Sequence, residues 1–224
     1  MKHQLEIDSV QKSFATKRIL SDVYLRTETG NIIGILGRNG CGKSTLFKII
    51  FGTLGAENKF VRIDNVIHKK PYFTREITYL PQDNFIPKHL KVSHAITLYI
   101  SKDKREEFLN DVLIERIKHQ KIKHLSGGEQ RYLEIKLILY TSSKFVLLDE
   151  PYNGLAPNKI DLVNQLILDS AKHKGIILSD HAYSNVLHVA NRICLINNGA
   201  LYDIKDKKEL VRFGYLTDAM LASV

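Results

Sequence analysis

The chain has 224 residues, 44% of them hydrophobic, enough for one large domain or two small units sharing a core. Its apolar runs, such as IIGIL at Ile32 to Leu36 and FVLL at Phe145 to Leu148, have strand length and fall short of the roughly eighteen residues that cross a bilayer, so the chain is not by itself a channel. Basic residues outnumber acidic ones 33 to 24, giving a net charge of +9. That excess raises a nucleic-acid surface, with Lys118, Lys121 and Lys123 interleaved by His119 and His124, but a solvated basic face is the better account, and the same excess suits a surface near anionic lipid. The start, MKHQLEIDSV, has no apolar run behind its Lys and reads as neither signal peptide nor anchor, which implies the cytosol. Cys41 and Cys194 lack metal-site spacing and fit a reducing compartment.

Strand-like alternation at Leu5, Ile7 and Val10 and again at Val23 and Leu25 predicts an antiparallel hairpin region, broken at Glu28 to Gly30. A buried strand, Ile32 to Leu36, enters a glycine loop, and helical spacing of Leu46, Ile49 and Ile50 predicts a helix from Ser44 to Phe51. Residues 59 to 64 and 77 to 80 read as short strands, and Val92 to about Lys118 as charged, periodic helix. From Gly128 a helix is expected to Tyr140, then strand Phe145 to Leu148, helix Lys159 to His173, strand Ile176 to Leu178, helix Tyr183 to Ala190 and strand Arg192 to Ile196. The alternation of strand and helix implies an α/β fold with a mainly parallel core sheet. KKELVRFGYL reads as a last helix, with a tail too short for an added regulatory domain.

The glycine loop is GRNGCGKST, Gly37 to Thr45, a match to G-x-x-x-x-G-K-[ST] between strand and helix. Through Gly37, Arg38, Asn39, Gly40, Cys41 and Gly42, backbone N–H groups turn toward phosphates, and the helix adds its positive end. Lys43 supplies a charge for the terminal phosphates, Ser44 a hydroxyl ligand for Mg²⁺ and Thr45 a contact to an inner phosphate, so ATP and Mg²⁺ are implied. Cys41 reads as a small filler, though the positive field there would favour a thiolate. FVLL ends in Asp149 and Glu150, adjacent carboxylates at a parallel strand's C-terminal edge. Asp149 is expected in the Mg²⁺ shell, and Glu150 to accept a hydrogen bond from the attacking water or take its proton.

With LSGGEQ at Leu125 to Gln130 following the loop and FVLLDEP following that, nearly the whole chain resembles the nucleotide-binding cassette of the ATP-binding cassette (ABC) superfamily. The resemblance implies a P-loop NTPase core with an N-terminal antiparallel β subdomain and a helical insertion at about residues 83–130, all one nucleotide-binding domain over 1–224. It implies a head-to-tail dimer, homo or hetero, in which Ser126, Gly127 and Gly128 of one subunit close over ATP on the other's loop. Gln82 resembles the residue that senses Mg²⁺ and the attacking water, His181 the switch histidine at the terminal phosphate, and Phe14 the aromatic that stacks on adenine, with core packing almost as good an account of Phe14.

PYNGLAP places Ala156 where the family usually has an Asp reaching across the dimer, and a methyl group accepts no hydrogen bond. With Lys43, Asp149, Glu150 and His181 all present, hydrolysis is still expected. The leading function is the energy-coupling ATPase of an ABC transporter, at the cytoplasmic face of the membrane, bound to separate permease subunits near Gln82, with no nucleic-acid partner. The alternative is a single-cassette ATPase of iron–sulfur cluster assembly. The segment from Asp180 to Gly199 loosely resembles lipopolysaccharide-export and branched-chain amino-acid cassettes.

Overall fold

The alternating residues at the start of the chain form two long antiparallel strands, β1 (Gln4–Phe14) and β2 (Lys17–Glu28), with Leu5, Ile7, Val10, Val23 and Leu25 buried on one face. The chain then leaves for a second sheet with β3 (Ile32–Leu36), whose residues are all buried, and enters α1 (Lys43–Phe51) through the glycine loop. It returns to the first sheet as β4 (Asn58–Ile63) and β5 (Val66–Ile67), giving a four-stranded antiparallel order β2-β1-β4-β5. The computed structural model describes residues 2–222.

The second sheet takes β6 (Ile77–Leu80), β7 (Phe145–Asp149), β8 (Gly175–Ser179), β9 (Arg192–Asn197) and β10 (Ala200–Ile204) in the order β10-β9-β3-β8-β7-β6. All neighbours are parallel except β9 and β10. The sheet has a core on each face, which is why its strands are continuous apolar runs. Ile33, Ile35, Leu147 and Ile177 pack with α1 and the antiparallel sheet. Ile32, Leu36, Leu148 and Leu178 pack on the other side with the helical layer. The strand β10 was not expected from the sequence. It forms because Asn198 (φ 50°) and Gly199 (φ 82°) supply the left-handed pair a tight hairpin requires.

The region read as one helix from Val92 to about Lys118 is three: α2 (Val92–Tyr99), α3 (Arg105–Leu109) and α4 (Val112–Ile117). Ile100 is extended (φ −108°, ψ 126°), and Asp111 starts α4 as an N-cap whose carboxylate accepts from Leu113 N at 2.8 Å and Ile114 N at 3.1 Å. The breaks let Ile96, Phe108, Ile114 and Ile117 all reach one core. Next come α5 (Gly127–Tyr140), α6 (Pro157–Ala171) and α7 (Tyr183–Val189). The expected last helix over KKELVRFGYL is shorter, α8 (Lys208–Arg212), because the chain turns at Gly214, and α9 (Asp218–Ala222) follows.

Candidate functional site

Three parallel strand ends and one glycine loop converge on a single cleft. Strand β3 delivers the loop and β7 the carboxylates, while the segments after β6 and β8 deliver Gln82 and His181. The cleft is lined by Phe14, Ile19, Asn39, Gly40, Gly42, Lys43, Ser44, Thr45, Gln82, Glu150 and His181. Glycine is required at position 37, where an added Cβ would lie 2.5 Å from Cys41 Sγ and 2.8 Å from the Ile196 carbonyl. Lys43 is buried and donates to Gly37 O at 2.6 Å and Arg38 O at 3.3 Å, inside the loop that phosphates would enter.

Asp149 is buried and accepts from three hydroxyl donors. Its Oδ1 accepts from Ser44 Oγ at 3.1 Å and Ser179 Oγ at 3.2 Å, and its Oδ2 from Tyr79 OH at 3.0 Å. Burial, followed by the adjacent Asp149 carboxylate, pushes the Tyr79 phenol far above its usual range and keeps it a donor. Glu150 sits one residue on with φ 51°, a left-handed conformation that a non-glycine residue holds only when its surroundings enforce it. Its backbone N–H donates to Ser179 O at 2.7 Å. Its carboxylate bridges two predicted residues: Gln82 Nε2 donates to Oε2 at 2.9 Å, and His181 Nε2 lies 2.7 Å from Oε1.

Arg131, Tyr79, Ser179 and Asp180 have places in this site that the sequence reading did not assign. The Arg131 guanidinium donates to Asp149 O and Glu150 O, each at 2.8 Å, and to Pro81 O at 2.9 Å, so one buried side chain of α5 ties the carboxylate strand to the segment carrying Gln82. Asp180 accepts from Tyr152 N at 3.0 Å and Ala182 N at 2.9 Å, fixing the turn that presents His181. The available signal was in α5 itself, where Gln130, Arg131, Glu134 and Lys136 are buried among apolar residues on a helix without a solvent stripe.

Ser126, Gly127 and Gly128 do not line this cleft. They form the start of α5, where Ser126 Oγ accepts from Glu129 N at 3.3 Å and the Glu129 carboxylate accepts from Ser126 N at 3.0 Å, a reciprocal capping box. Phe14 is 46% exposed and faces the cleft, with the Lys12 ammonium 4.9 Å from its ring centroid, so the core-packing account of it is corrected. At Cys41, burial outweighs the Lys43 charge and pushes the thiol up, so the expected thiolate-favouring field does not prevail. Ala156 is the N-cap of α6 and offers its N–H groups no side-chain acceptor.

The family model for "ABC transporter" matches residues 20–153. The chain belongs to the ABC transporter family. It is 30% identical over 212 residues to the lipopolysaccharide export system ATP-binding protein LptB of Haemophilus influenzae, and 31% identical over 216 residues to that of Escherichia coli K12, with 88% of each chain covered in both comparisons. Among solved structures, an ATP-binding subunit of an ABC transporter superposes with a TM-score of 0.84 at 22% identity, covering 98% of this chain and 96% of the other. A bacterial Atm1-family ABC exporter with ATP bound superposes with a TM-score of 0.83 at 20% identity, over all of this chain and 42% of the exporter. As an ABC transporter cassette the chain is an ATP-binding ATPase, which favours the transport reading over the iron–sulfur assembly alternative. No helix among the described residues is long and apolar enough to cross a membrane.

Proposed function

We propose that Glu150 is the group that orients and deprotonates the attacking water in MgATP hydrolysis, and that hydrolysis drives transport from an ATP-closed head-to-tail dimer of this cassette or of this cassette with a related one. The observation that carries the reading is the bridged Glu150 carboxylate, held by Gln82 and His181 at the mouth of the glycine loop. A carboxylate poised there can accept a proton from water aimed at a terminal phosphate. Lys43, now bonded to two loop carbonyls, exchanges them for phosphate oxygens when nucleotide enters. Phe14 offers an exposed face for the base, and His181, half-exposed in the same cleft beside Glu150, contacts the terminal phosphate. Asn39, Gly40, Gly42 and Thr45 complete the phosphate cradle, with Gly37, Arg38 and Cys41 forming its outer turn.

The residues that would hold Mg²⁺ offer oxygen: the Asp149 carboxylate with the Ser44 hydroxyl 3.1 Å from it, and Gln82 in the same cleft as Ser44, a set that suits Mg²⁺. Bound there, the ion would neutralise charge on the phosphates. Residues 1–224 act as one nucleotide-binding unit with its insertion at about 83–130. The exposed capping box at Ser126, with Gly127 and Gly128, is the surface that closes on the second cassette's nucleotide. A groove lined by Phe51, Tyr72, Tyr79, Phe85, Leu98 and Tyr99, beside the Gln82 segment, receives a permease subunit at the cytoplasmic membrane face. Leu98, 71% exposed, is the apolar contact such a partner would cover.

The test compares MgATP turnover and ATP-dependent mass of the wild type with Glu150→Gln. The amide retains size but takes no proton, so turnover is expected to fall at least 100-fold while an ATP-bound dimer accumulates. A variant that hydrolyses at the wild-type rate would remove Glu150 from this role.

A further inference from the structure

The peptide between Gly37 and Arg38 is held from both sides. On the inside, Lys43 bonds the Gly37 and Arg38 carbonyls. On the outside, the exposed Arg38 side chain turns away from the nucleotide cleft and its Nη2 donates to Gly214 O at 3.0 Å. The next residue, Tyr215, places its phenol against the Gly37 backbone amide and shares a cleft wall with Arg38, Gly40 and Cys41, so it supports the glycine loop from outside. Arg38, Cys41, Phe213 and Tyr215 share the walls of one cleft behind the loop, which meets the cleft holding Lys43 and Glu150 only along Ile19, Asn39 and Gly40.

This outer support is itself rigid. Tyr215 N and Leu216 N both donate to Leu210 O, at 2.8 and 3.1 Å, closing the chain back on α8. Leu210 and Leu216 are buried in the main core, and the Phe213 ring packs 4.8 Å from that of Tyr202 on β10. The loop it supports is glycine-rich, and a free glycine-rich loop has much conformational entropy to lose when it wraps a phosphate chain. When Lys43 leaves the loop carbonyls for phosphate, the inner tether is released, and the outer one remains beside the Cys41 N–H bond to Arg38 O at 3.2 Å.

We propose that Arg38 and Tyr215 are positioning residues through which the segment 213–216 holds the glycine loop in its phosphate-receiving shape, so that this segment sets nucleotide affinity. The proposal rests on the reading of the loop as the nucleotide site. At this exposed site the bond is taken at the strength of an ordinary hydrogen bond, which corresponds to about a three- to tenfold change in binding.

The test uses the full chain, with MgADP and MgATP as probes in titration calorimetry, steady-state kinetics, and an unfolding midpoint without nucleotide. Arg38→Ala is expected to raise Kd for both nucleotides three- to tenfold, with the loss in kcat/KM falling mainly on KM. Arg38→Lys, which keeps a long cationic donor at this position, should recover most of the loss. Tyr215→Leu, which keeps the apolar volume, should weaken binding similarly, and the double variant should fall short of the sum because the two residues hold one peptide. Kd values within twofold of wild type in both single variants, whether or not the midpoint falls, would overturn the proposal. If the wild type binds and Lys43→Ala does not, that outcome would leave the nucleotide reading standing and remove only the clamp. A wild type that binds neither nucleotide would overturn both.

Discussion

At Glu150 the backbone takes a left-handed turn that costs of order 1 kcal/mol or more, and Arg131 is the side chain that holds it there by bonding the carbonyls of the two peptides that flank the Glu150 Cα. Arg131 is 3% exposed and also lies 3.7 Å from Glu134, which is fully buried. Arg131→Met is therefore expected to lower stability by about 3–5 kcal/mol, because it leaves a buried carboxylate without its cation. Arg131→Lys keeps the charge, but one ammonium cannot span the carbonyls of Pro81, Asp149 and Glu150 that the planar guanidinium reaches. It should unfold at a midpoint nearer wild type while hydrolysing MgATP at least tenfold more slowly, and equal turnover would show that the carboxylate turn does not depend on the fork. Lys43, Ser44, Asp149 and Glu150 were legible in the sequence because each belongs to a short run whose spacing has a local mechanical meaning. Arg131 was not, because its meaning lies in carbonyls of β7 and of the segment after β6, which only the folded sheet brings beside α5.

Elements were legible where one period ran between clear breaks and illegible where the chain broke without disturbing the period. Strands β3, β7 and β8 and helices α1 and α5 stand within a few residues of expectation, since their apolar runs and flanking glycines left little choice. Between α2 and α4, periodicity continued across Asp111, and nothing local announced that its carboxylate would face four donors. It caps Leu113 and Ile114, and it also accepts from Tyr132 OH and Lys136 Nζ on α5, each at 2.6 Å. Burial opposes its ionisation, but Lys136, Tyr132 and the Ile114 amide outweigh that and hold the Asp111 carboxyl below the usual carboxylate range. One residue thus joins the insertion to the helix that begins with the signature serine. Asp111→Ala should cost about 3–5 kcal/mol, combining a lost cap with a Lys136 side chain left 3% exposed and unpaired. Asp111→Asn keeps the cap and should recover about 1 kcal/mol of it, as read from urea midpoints. A loss under 1 kcal/mol in Asp111→Ala would mean that the insertion is not anchored here.

Over the whole molecule, ionisable groups that are ion-paired or buried give stability a pH dependence that net charge alone does not. On the acid side Asp64 is held at about 2, where burial is opposed by the hydrogen bond from Lys144 and then by the Gln4 amide, and Asp111 is held low as well. Their folded values lie below the unfolded ones, so their contribution is complete above about pH 4 and is lost as pH falls through the folded values. On the alkaline side two kinds of group oppose each other. Burial pushes the Cys194 thiol up to about 12, so its contribution is present below the unfolded thiol range and declines as pH rises above about 8.5. Lys174 has the reverse sign. Burial, then the nearby Lys104 charge, brings its ammonium down to about 7, although Nζ donates to Thr141 O and to Ser143 Oγ at 3.3 Å, because neither acceptor carries a charge. Below pH 7 both folded and unfolded chains hold the proton and the folded state bears the full penalty of the buried charge. Between about pH 7 and 10.5 the unfolded chain holds a proton the folded one has released, so stability rises with pH by at most about 1.4 kcal/mol per unit from this residue. Urea unfolding of the wild type and of Lys174→Met at pH 6.5, 7.5 and 8.5 separates the terms, because the thiol contribution is common to both chains and cancels in their difference. The wild type should gain stability across that series relative to Lys174→Met, and the gap between them should narrow as pH rises, since the methionine variant never carries the charge. A gap that stays constant over the three values would mean that Lys174 remains protonated in the folded protein, with Thr141 and Ser143 sufficient to hold the ammonium.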